Sequence, residues 1–339
     1  MWSGLTQFVL GTILCGSAQA CGTPEYAPPP RAVASARLSV ESTIGDVLEH
    51  RAFAGFARLL LPWDDRSYDT GMRLRDVASL LPYHSEVSPA VIVASLNRLI
   101  DDVDAGHRIF HDIYTETQKR DVPARRNVGL FFVRGRPGAP FALIAPGGGF
   151  AYVGSLHEGF PYAVAIAAHG MNAFVIKYRV GQGGQVATED MAAALSWIVR
   201  HADTLGVAPS GYALWGSSAG ARMAALIGSH GADRFGGDRL PPPATIVMLY
   251  TGHADVGSAE PATFVAVGDR DGIAPPESMA RRIAAVRATG AAAEFHRYPN
   301  VAHGFGLGAG TSASGWLEDA MRFWTAQVAR ASRAGRDST

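Results

Sequence analysis

From about residue 108 onward, two kinds of apolar pattern alternate along the chain. Short runs rich in Val, Ile, Leu and Phe are typical of buried strands, and the longer stretches between them have apolar residues at helical spacing. Strands alternating with helices of this length predict βαβ units, and therefore a mostly parallel central sheet with helices on both faces. The predicted strands are 130–133, 141–145, 172–178, 212–215, 244–249, 262–267 and 294–298, and the predicted helices are 157–169, 187–205, 219–230, 276–289 and 315–333.

Residues 36–106 have a different, mostly helical pattern. Ser88 is a typical helix N-cap, Pro89 suits the first helical position, and Gly106 is a typical stop. We therefore predict that residues 36–106 form a helical N-terminal extension or cap. The α/β unit that follows spans residues 107–333. Between the two helix signals, apolar side chains recur at helical spacing at Val91, Ile92, Leu96, Leu99, Ile100 and Val103.

The start of the chain has the features of a targeting segment. An apolar run over 8–15 is followed by Ala18-Gln19-Ala20, a small-x-small sequence typical of signal-peptide cleavage. We expect residues 1–20 to be a signal peptide, residues 21–35 a Pro-rich leader, and the protein to be secreted or periplasmic. Cys21, directly after the cleavage sequence, makes a lipoprotein the alternative. The run is too short for a transmembrane helix, so no stable membrane insertion is expected.

Composition narrows the function classes. The chain has 339 residues, is 47% hydrophobic and has a formal net charge of zero, so it can form a full-sized core and has no excess of basic residues for nucleic acid. Its two cysteines, Cys15 and Cys21, both lie near the start. Because no group of His, Cys, Asp and Glu has metal-ligand spacing, we expect neither a metal nor a cofactor.

A G-x-S-x-G motif is the main chemical signal. Residues 216–220 read Gly-Ser-Ser-Ala-Gly, between a predicted strand and a predicted helix. A serine nucleophile at the tip of such a sharp turn has room only for small residues two positions away on either side. Ser218 meets that condition, whereas Ser217 would be flanked by Trp215 and Ala219. The motif therefore predicts Ser218 as a nucleophile; the alternative is an ordinary Gly-rich turn.

A second Gly-rich loop follows the predicted strand 141–145. Residues 146–150 read Pro-Gly-Gly-Gly-Phe, and glycines allow backbone N–H groups to approach a substrate closely. We expect the N–H groups of Gly148, Gly149 and Ala219 to form an oxyanion hole. A phosphate-binding loop is the competing use, but neither a following Lys-Ser/Thr pair nor G-x-G-x-x-G spacing is present.

The loops after the last two predicted strands supply candidates for the acid and the base. His303 lies just after strand 294–298, and its ordinary pKa near neutrality suits a general base. Asp269 and Asp271 both follow strand 262–267, and Asp271 is favoured because it lies further past the strand end. The chain order Ser218, then Asp, then His303 is that of the α/β-hydrolases.

Other side chains near these motifs are candidates for a substrate pocket, although each is more readily explained by packing. They are Phe150, Tyr152, His157, Glu158, Tyr250 and His253. Glu189 and Asp190 are interpreted as structural, since they open the predicted helix 187–205 and carboxylates there favour the helix dipole.

Short segments of residues 108–330 match the motifs of a known family. They are PGGGF at 146–150, KYR at 177–179, ED at 189–190, WGSSAG at 215–220, GDRDG at 268–272 and HGF at 303–305. This part of the chain resembles bacterial α/β-hydrolase esterases related to acetyl xylan and feruloyl esterases. The resemblance implies an eight-stranded sheet and ester hydrolysis without a cofactor. The oxyanion loop of those relatives usually begins with His, where this chain has Pro146.

The favoured function is carboxylic ester hydrolysis through an acyl-enzyme, with a small-molecule or acylated plant polysaccharide ester as substrate. A serine peptidase of the prolyl-oligopeptidase type is the alternative, but the sequence has no clear anchor for a peptide terminus. A non-catalytic binding protein on the same fold would tend to lose the serine, the histidine or the loop glycines. The sequence gives no indication of the oligomeric state.

Overall fold

Eight strands form the centre of the computed structural model, which describes residues 35–337. They are β1 (Phe110–His111), β2 (Gly129–Val133), β3 (Phe141–Ala145), β4 (Asn172–Lys177), β5 (Ala213–Ser217), β6 (Thr245–Leu249), β7 (Thr263–Gly268) and β8 (Ala293–Tyr298). Their order in the sheet is β1-β2-β4-β3-β5-β6-β7-β8. Only the β1–β2 and β2–β4 pairs of this sheet are antiparallel, which confirms the expected mostly parallel sheet.

Helices surround this sheet in the described part of the chain. The α-helices are α1 (Ile44–Leu48), α2 (Pro89–Asp104), α3 (Glu116–Asp121), α4 (Phe160–Ala168), α5 (Gly183–Arg200), α6 (Ala202–Leu205), α7 (Ala219–His230), α8 (Pro276–Ala288) and α9 (Trp316–Asp337). Short 3₁₀ segments lie at Arg51–Phe53, Ala57–Leu60, Leu74–Leu80, Pro123–Asn127 and Asp233–Phe235, and one π-helical turn lies at Ser155–Gly159. None of these helices is long and apolar enough to cross a membrane.

The strands contribute to two apolar layers, one on each face of the sheet. In β3, Ala142 and Ile144 belong to the layer that contains α2, α4 and α9, whereas Leu143 belongs to the layer that contains α5, α7 and α8. Strands β2 to β7 are buried at every position, as expected for a sheet covered on both faces. Because β5, β7 and β8 run parallel, their carboxyl ends share one edge of the sheet.

The N-terminal segment, residues 36–106, packs into the first of these layers. Apolar side chains of α2, among them Leu96 and Ile100, belong to the same cluster as α4. Lys177, at the end of β4 and fully buried, donates hydrogen bonds to the carbonyl oxygens of Leu61 (2.9 Å) and Pro62 (2.8 Å). Its ammonium group also lies 2.9 Å from the Asp64 carboxylate. The segment is therefore tied to the sheet by buried polar contacts as well as by apolar packing.

Several predicted elements need correction. The segment 36–106 contains three 3₁₀ pieces besides its two α-helices, because turns and prolines interrupt it. Helix α2 has the predicted start, since the Ser88 side chain accepts a hydrogen bond from the N–H of Val91. The helix expected at 157–169 is a π turn followed by α4, and strand β1 was not predicted because two residues carry no pattern.

The helix expected at 187–205 begins four residues earlier, at Gly183, and α6 is separate from it. The sequence pattern misplaces the start because the glycines there are poor helix formers, yet Gly184 packs against the Phe150 ring. Asp190 consequently lies inside the helix, and the interpretation of it as a first-turn carboxylate is wrong. It is fully buried and pairs with Arg179 at 2.7 Å. The predicted signal peptide, Cys21 and the rest of the predicted leader up to residue 34 lie outside the described residues.

Candidate active site

Three side chains meet at the carboxyl edge of the sheet. Ser218 lies between β5 and α7, Asp271 follows β7, and His303 follows β8. The Nε2 atom of His303 lies 3.0 Å from Ser218 Oγ, and its Nδ1 atom lies 2.8 Å from Asp271 Oδ2. A carboxylate can only accept, so Nδ1 carries the proton and Nε2 is free to accept the proton of the serine hydroxyl. The structure thus brings together the predicted nucleophile, base and acid.

The backbone at Ser218 is strained, as the motif requires. Its φ of 50° and ψ of −114° lie in a region that non-glycine residues rarely adopt. A Cβ on Gly216 would lie 2.3 Å from the backbone of Gly220, and a Cβ on Gly220 would lie 1.9 Å from the carbonyl oxygen of Ala145. Neighbouring Ser217 is buried, and its hydroxyl lies 3.5 Å from the Tyr162 hydroxyl rather than next to His303.

The two candidate acids have different partners. Asp271 is buried, and its other oxygen, Oδ1, accepts the N–H groups of Ile273 (2.9 Å) and Ala274 (2.7 Å). These bonds fix the carboxylate with Oδ2 directed at His303. Asp269 is exposed and accepts the N–H of Asn300 at 2.6 Å. The geometry therefore favours Asp271 as the partner of the imidazole and leaves Asp269 as a residue that joins two loops.

The Gly-rich loop after β3 lies against the nucleophile. A Cβ on Gly147 would be 3.0 Å from the Cβ of Ser218. Gly148 and Gly149 have φ values of 131° and 63°, and within residues 35–337 their N–H groups donate to no protein acceptor. Ala219 is the first residue of α7, where an N–H has no intrahelical partner. All three predicted oxyanion donors are thus unpaired at the edge that carries Ser218.

Most of the side chains proposed for a substrate pocket are buried and make contacts within the protein. Tyr152 is fully buried and its hydroxyl accepts the N–H of Tyr83, and His157 is buried with Nε2 3.0 Å from the Gly304 carbonyl oxygen. Tyr250 is fully buried with its ring 5.0 Å from the His303 ring. Phe150 and His253 are half-buried: Phe150 packs edge-on against Tyr178, and His253 lies in the loop after β6.

Comparison with known proteins identifies the fold. The BD-FAE family model matches residues 137–242. MGS-M1, an α/β hydrolase enzyme from a Medee basin deep-sea metagenome library, is 23% identical and has a TM-score of 0.53 over 59% of this chain and 93% of that one. The chain has the α/β-hydrolase fold.

Two further proteins share this α/β-hydrolase fold. An acetyl ester-xyloside bifunctional hydrolase from Caldicellulosiruptor lactoaceticus is 21% identical, with a TM-score of 0.53 over 59% of this chain and 88% of that one. A thermophilic esterase, Est2, from Thermogutta terrifontis is 21% identical, with a TM-score of 0.50 over 58% of this chain and 86% of that one. No curated protein matches the chain in sequence.

Behind the Gly-rich loop of this α/β-hydrolase fold lies a buried carboxylate whose contacts were not predicted. Glu158 is fully buried; its Oε2 accepts the N–H of Gly147 (2.6 Å) and its Oε1 the hydroxyl of Tyr250 (2.6 Å). Its Oε1 also lies 3.2 Å from His84 Nε2. Burial is the largest single effect and raises the pKa of Glu158, but His84, His157 and the Tyr250 hydroxyl together outweigh it and lower that pKa to about 2.

Two large apolar side chains of the described residues are exposed, and both lie beside the site. Tyr83 is 44% exposed and its ring lies 3.1 Å from where a Cβ of Gly149 would be. Ile273 is 59% exposed and follows Asp271 by two residues. Tyr83 could not be predicted from local sequence patterns, because its approach to the Gly-rich loop depends on how residues 36–106 fold back. Apolar surface of this kind beside a nucleophile is typical of a ligand site.

Within residues 35–337, no group of three or more His, Cys, Asp or Glu side chains is placed to hold a metal ion.

Proposed function

We propose that this chain is a serine carboxylesterase that hydrolyses esters through an acyl-enzyme. The observation that carries the proposal is the pair of hydrogen bonds around His303, 3.0 Å to Ser218 Oγ and 2.8 Å to Asp271 Oδ2. The strained backbone of Ser218 and the adjacent unpaired N–H groups support it. The fold is also that of the esterases with which the chain was compared.

In the first step, Ser218 Oγ attacks the ester carbonyl carbon while His303 Nε2 takes the hydroxyl proton. Asp271 keeps Nδ1 protonated and stabilises the imidazolium that forms. The tetrahedral intermediate collapses when the carbon–alkoxide bond breaks, and the leaving alcohol takes the proton from Nε2. The acyl group remains on Ser218.

In the second step, water replaces the alcohol. His303 Nε2 removes a proton from the water, whose oxygen attacks the acyl carbon. The bond to Ser218 Oγ then breaks and Oγ regains its proton, so a carboxylic acid is released and the enzyme returns to its starting state. In both steps the N–H groups of Gly148, Gly149 and Ala219 stabilise the negative charge that develops on the carbonyl oxygen, and each such donor is worth about 3 kcal/mol.

The substrate class is a finer part of the same proposal. We infer that the esters are acylated sugars of plant polysaccharide, which is supported by the resemblance of the motifs to acetyl xylan and feruloyl esterases. The name of the Caldicellulosiruptor lactoaceticus relative, an acetyl ester-xyloside hydrolase, points the same way. Tyr83 and Ile273 would border the entrance through which such a substrate reaches Ser218.

Steady-state rates on a substrate panel test the function. The panel holds p-nitrophenyl esters of increasing chain length, acetylated xylan, methyl ferulate and an aminoacyl anilide. We expect turnover of the esters, abolished by Ser218→Ala, and none of the anilide. A preference for the anilide would replace the esterase with a peptidase, and ester turnover without release of acetate from xylan would remove the polysaccharide proposal.

We further propose that the protein is exported, on the basis of the apolar run and small-x-small sequence at its start. Expression of the full chain followed by cell fractionation tests this. Export predicts a mature protein outside the cytoplasm that starts near residue 21, whereas an intact cytoplasmic chain contradicts it.

A further inference from the structure

Glu158 contacts three separate parts of the site. Its Oε2 accepts the N–H of Gly147, and Gly147 lies against Ser218. Its Oε1 accepts the Tyr250 hydroxyl, and the ring of Tyr250 packs edge-on against the ring of His303. One carboxylate therefore fixes the base of the Gly-rich loop and a ring that supports the imidazole.

The third contact comes from the N-terminal segment. His84 lies between 3₁₀ segment Leu74–Leu80 and α2, and its side chain is 2% exposed beside that of Glu158, which is 0% exposed. Nδ1 of His84 hydrogen-bonds the Tyr152 hydroxyl at 2.8 Å, which fixes the ring with Nε2 directed at the carboxylate. The backbone is fixed as well, since the N–H of Ser85 donates to the carbonyl oxygen of Gly304, next to His303.

The charge of Glu158 matters because of where it lies. A buried, unpaired carboxylate behind the Gly-rich loop would repel the negative charge that develops on the substrate oxygen. In the structure this carboxylate is paired with the N–H of Gly147, the Tyr250 hydroxyl and His84 Nε2, which stabilise its charge. Because Glu158 occupies the N–H of Gly147, the Gly-rich loop leaves the N–H groups of Gly148 and Gly149 for the substrate oxygen, beside that of Ala219.

We propose that Glu158 and His84 are positioning residues of the esterase: Glu158 holds Gly147, and with it the N–H groups of Gly148 and Gly149, where the tetrahedral intermediate needs them, and His84 holds the buried carboxylate in place. The inference rests on the proposed ester hydrolysis. It also gives residues 36–106 a role in the active site, since His84 belongs to them. An interaction that acts on the intermediate alone affects kcat and leaves KM unchanged.

Replacement of Glu158 tests the loop and the charge separately. Glu158→Ala removes both, and we expect kcat on p-nitrophenyl acetate to fall about 10²-fold, as for the loss of one oxyanion donor, with KM changed less than about threefold. Glu158→Gln keeps one oxygen for the N–H of Gly147 but removes the charge, so its loss should be about tenfold. Glu158→Gln keeps the test valid if the alanine variant fails to fold.

A double-mutant cycle tests the pairing. His84→Gln alone takes the imidazole partner away from a buried carboxylate, whereas Glu158→Gln/His84→Gln removes the carboxylate charge as well. The double variant should therefore have a higher kcat than His84→Gln. Losses that simply multiply would overturn the pairing.

Glu260→Gln is the matched control for lost stability. Glu260 has a fully buried side chain, pairs with Arg282 at 2.9 Å and accepts the N–H of Gly257, so its polar partners are not those of the Gly-rich loop. Its variant should lose stability with kcat close to that of the wild type. If the wild type hydrolyses esters and Glu158→Ala has the kcat of Glu260→Gln, the positioning role is wrong. If the wild type itself hydrolyses no ester, that result contradicts the proposed function, and with it the positioning role that rests on it.

Discussion

The orientation of a single imidazole decides whether Ser218 has a base. His303 has one nitrogen 2.8 Å from Asp271 and the other 3.0 Å from Ser218. A change at the carboxylate therefore alters the orientation of the ring and its hydrogen bond to Ser218. The carboxylate is itself fixed by two backbone N–H groups, those of Ile273 and Ala274. The whole arrangement is buried except at the serine, which limits the number of ways in which the ring can turn.

The two neighbouring aspartates should respond very differently to the same substitution. In Asp271→Asn, the amide group can donate to Nδ1 and hold the imidazole in the wrong tautomer, so we expect kcat to fall about 10⁴-fold, as in the serine-protease precedent. In Asp269→Asn, the side-chain oxygen can still accept the N–H of Asn300, and kcat should change less than about threefold. The kcat of both variants on one p-nitrophenyl ester distinguishes the two aspartates. If Asp269→Asn loses activity and Asp271→Asn retains it, Asp269 is the acid.

At the residue scale, the positions of Ser218, Asp271 and His303 were predictable because each follows a recognisable strand and the motif restricts its neighbours. Glu158 and His84 were not, since they are 74 residues apart in sequence and no local pattern links them. The error over Asp190 has a similar origin: its partner Arg179 lies on the preceding loop, and only the true start of α5 shows that the carboxylate is buried.

Strand β5 and helix α7 can meet at a sharp angle only because two glycines flank the turn. The missing side chains of Gly216 and Gly220 make room for the backbones of the turn itself and of β3. The seven predicted strands match β2 to β8 to within about two residues, because buried parallel strands are continuous apolar runs. Helix starts were predicted less well where glycine precedes them, as at α5.

A methyl group in this turn should be far more damaging than one elsewhere. In Gly216→Ala the new Cβ would lie 2.3 Å from the backbone of Gly220, so either strand or turn must shift, and we expect activity to be lost with a clearly lower Tm. Gly252→Ala is the control, because nothing lies within 4 Å of its Cβ position. Thermal unfolding and ester turnover of both variants check this. Equal Tm values would show that the turn is less constrained than the structure indicates.

The attachment of residues 36–106 to the sheet also depends on one side chain. Lys177→Met keeps much of the shape but removes the ammonium donor from the Leu61 carbonyl oxygen and the Asp64 carboxylate, and leaves the Pro62 carbonyl oxygen with the N–H of Val153 alone. Removing one partner of a buried ion pair typically costs about 3–5 kcal/mol in the free energy of unfolding. Arg75→Gln breaks the half-exposed pair with Glu41 and should cost less than about 1 kcal/mol. Urea unfolding of both variants measures the difference; similar losses would contradict the buried anchor.

Across the whole molecule, buried ionisable groups make stability depend on pH. Burial lowers the pKa of His111, His157 and His253 from 6.5 to about 4, so each is held as the neutral imidazole.

The fold class was predictable from the order of strands and helices along the chain. The sequence did not show that residues 36–106 join the same core, because the contacts of Lys177 and His84 link parts of the chain that are far apart in sequence.

The sign of the pH effect follows from these shifts. Between pH 6.5 and 4 the unfolded chain binds protons on these histidines that the folded chain does not, so stability should fall as pH is lowered through this window. Glu158, whose pKa is lowered from 4.5 to about 2, adds a further loss only below pH 4.5. Urea midpoints measured from pH 7 to pH 3 should therefore fall in both windows. His157→Gln should flatten part of the upper one, and a midpoint that is constant from pH 7 to pH 4.5 would contradict the buried neutral histidines.

The central claim is that Ser218 is a nucleophile activated by His303, and covalent labelling tests it most directly. A fluorophosphonate probe reacts with a serine that a neighbouring base has activated, and peptide mapping by mass spectrometry identifies the modified residue. We predict one equivalent of label on Ser218, loss of ester turnover in proportion to labelling, and no label on Ser218→Ala. Label on Ser217, or full ester turnover by Ser218→Ala, would contradict the account.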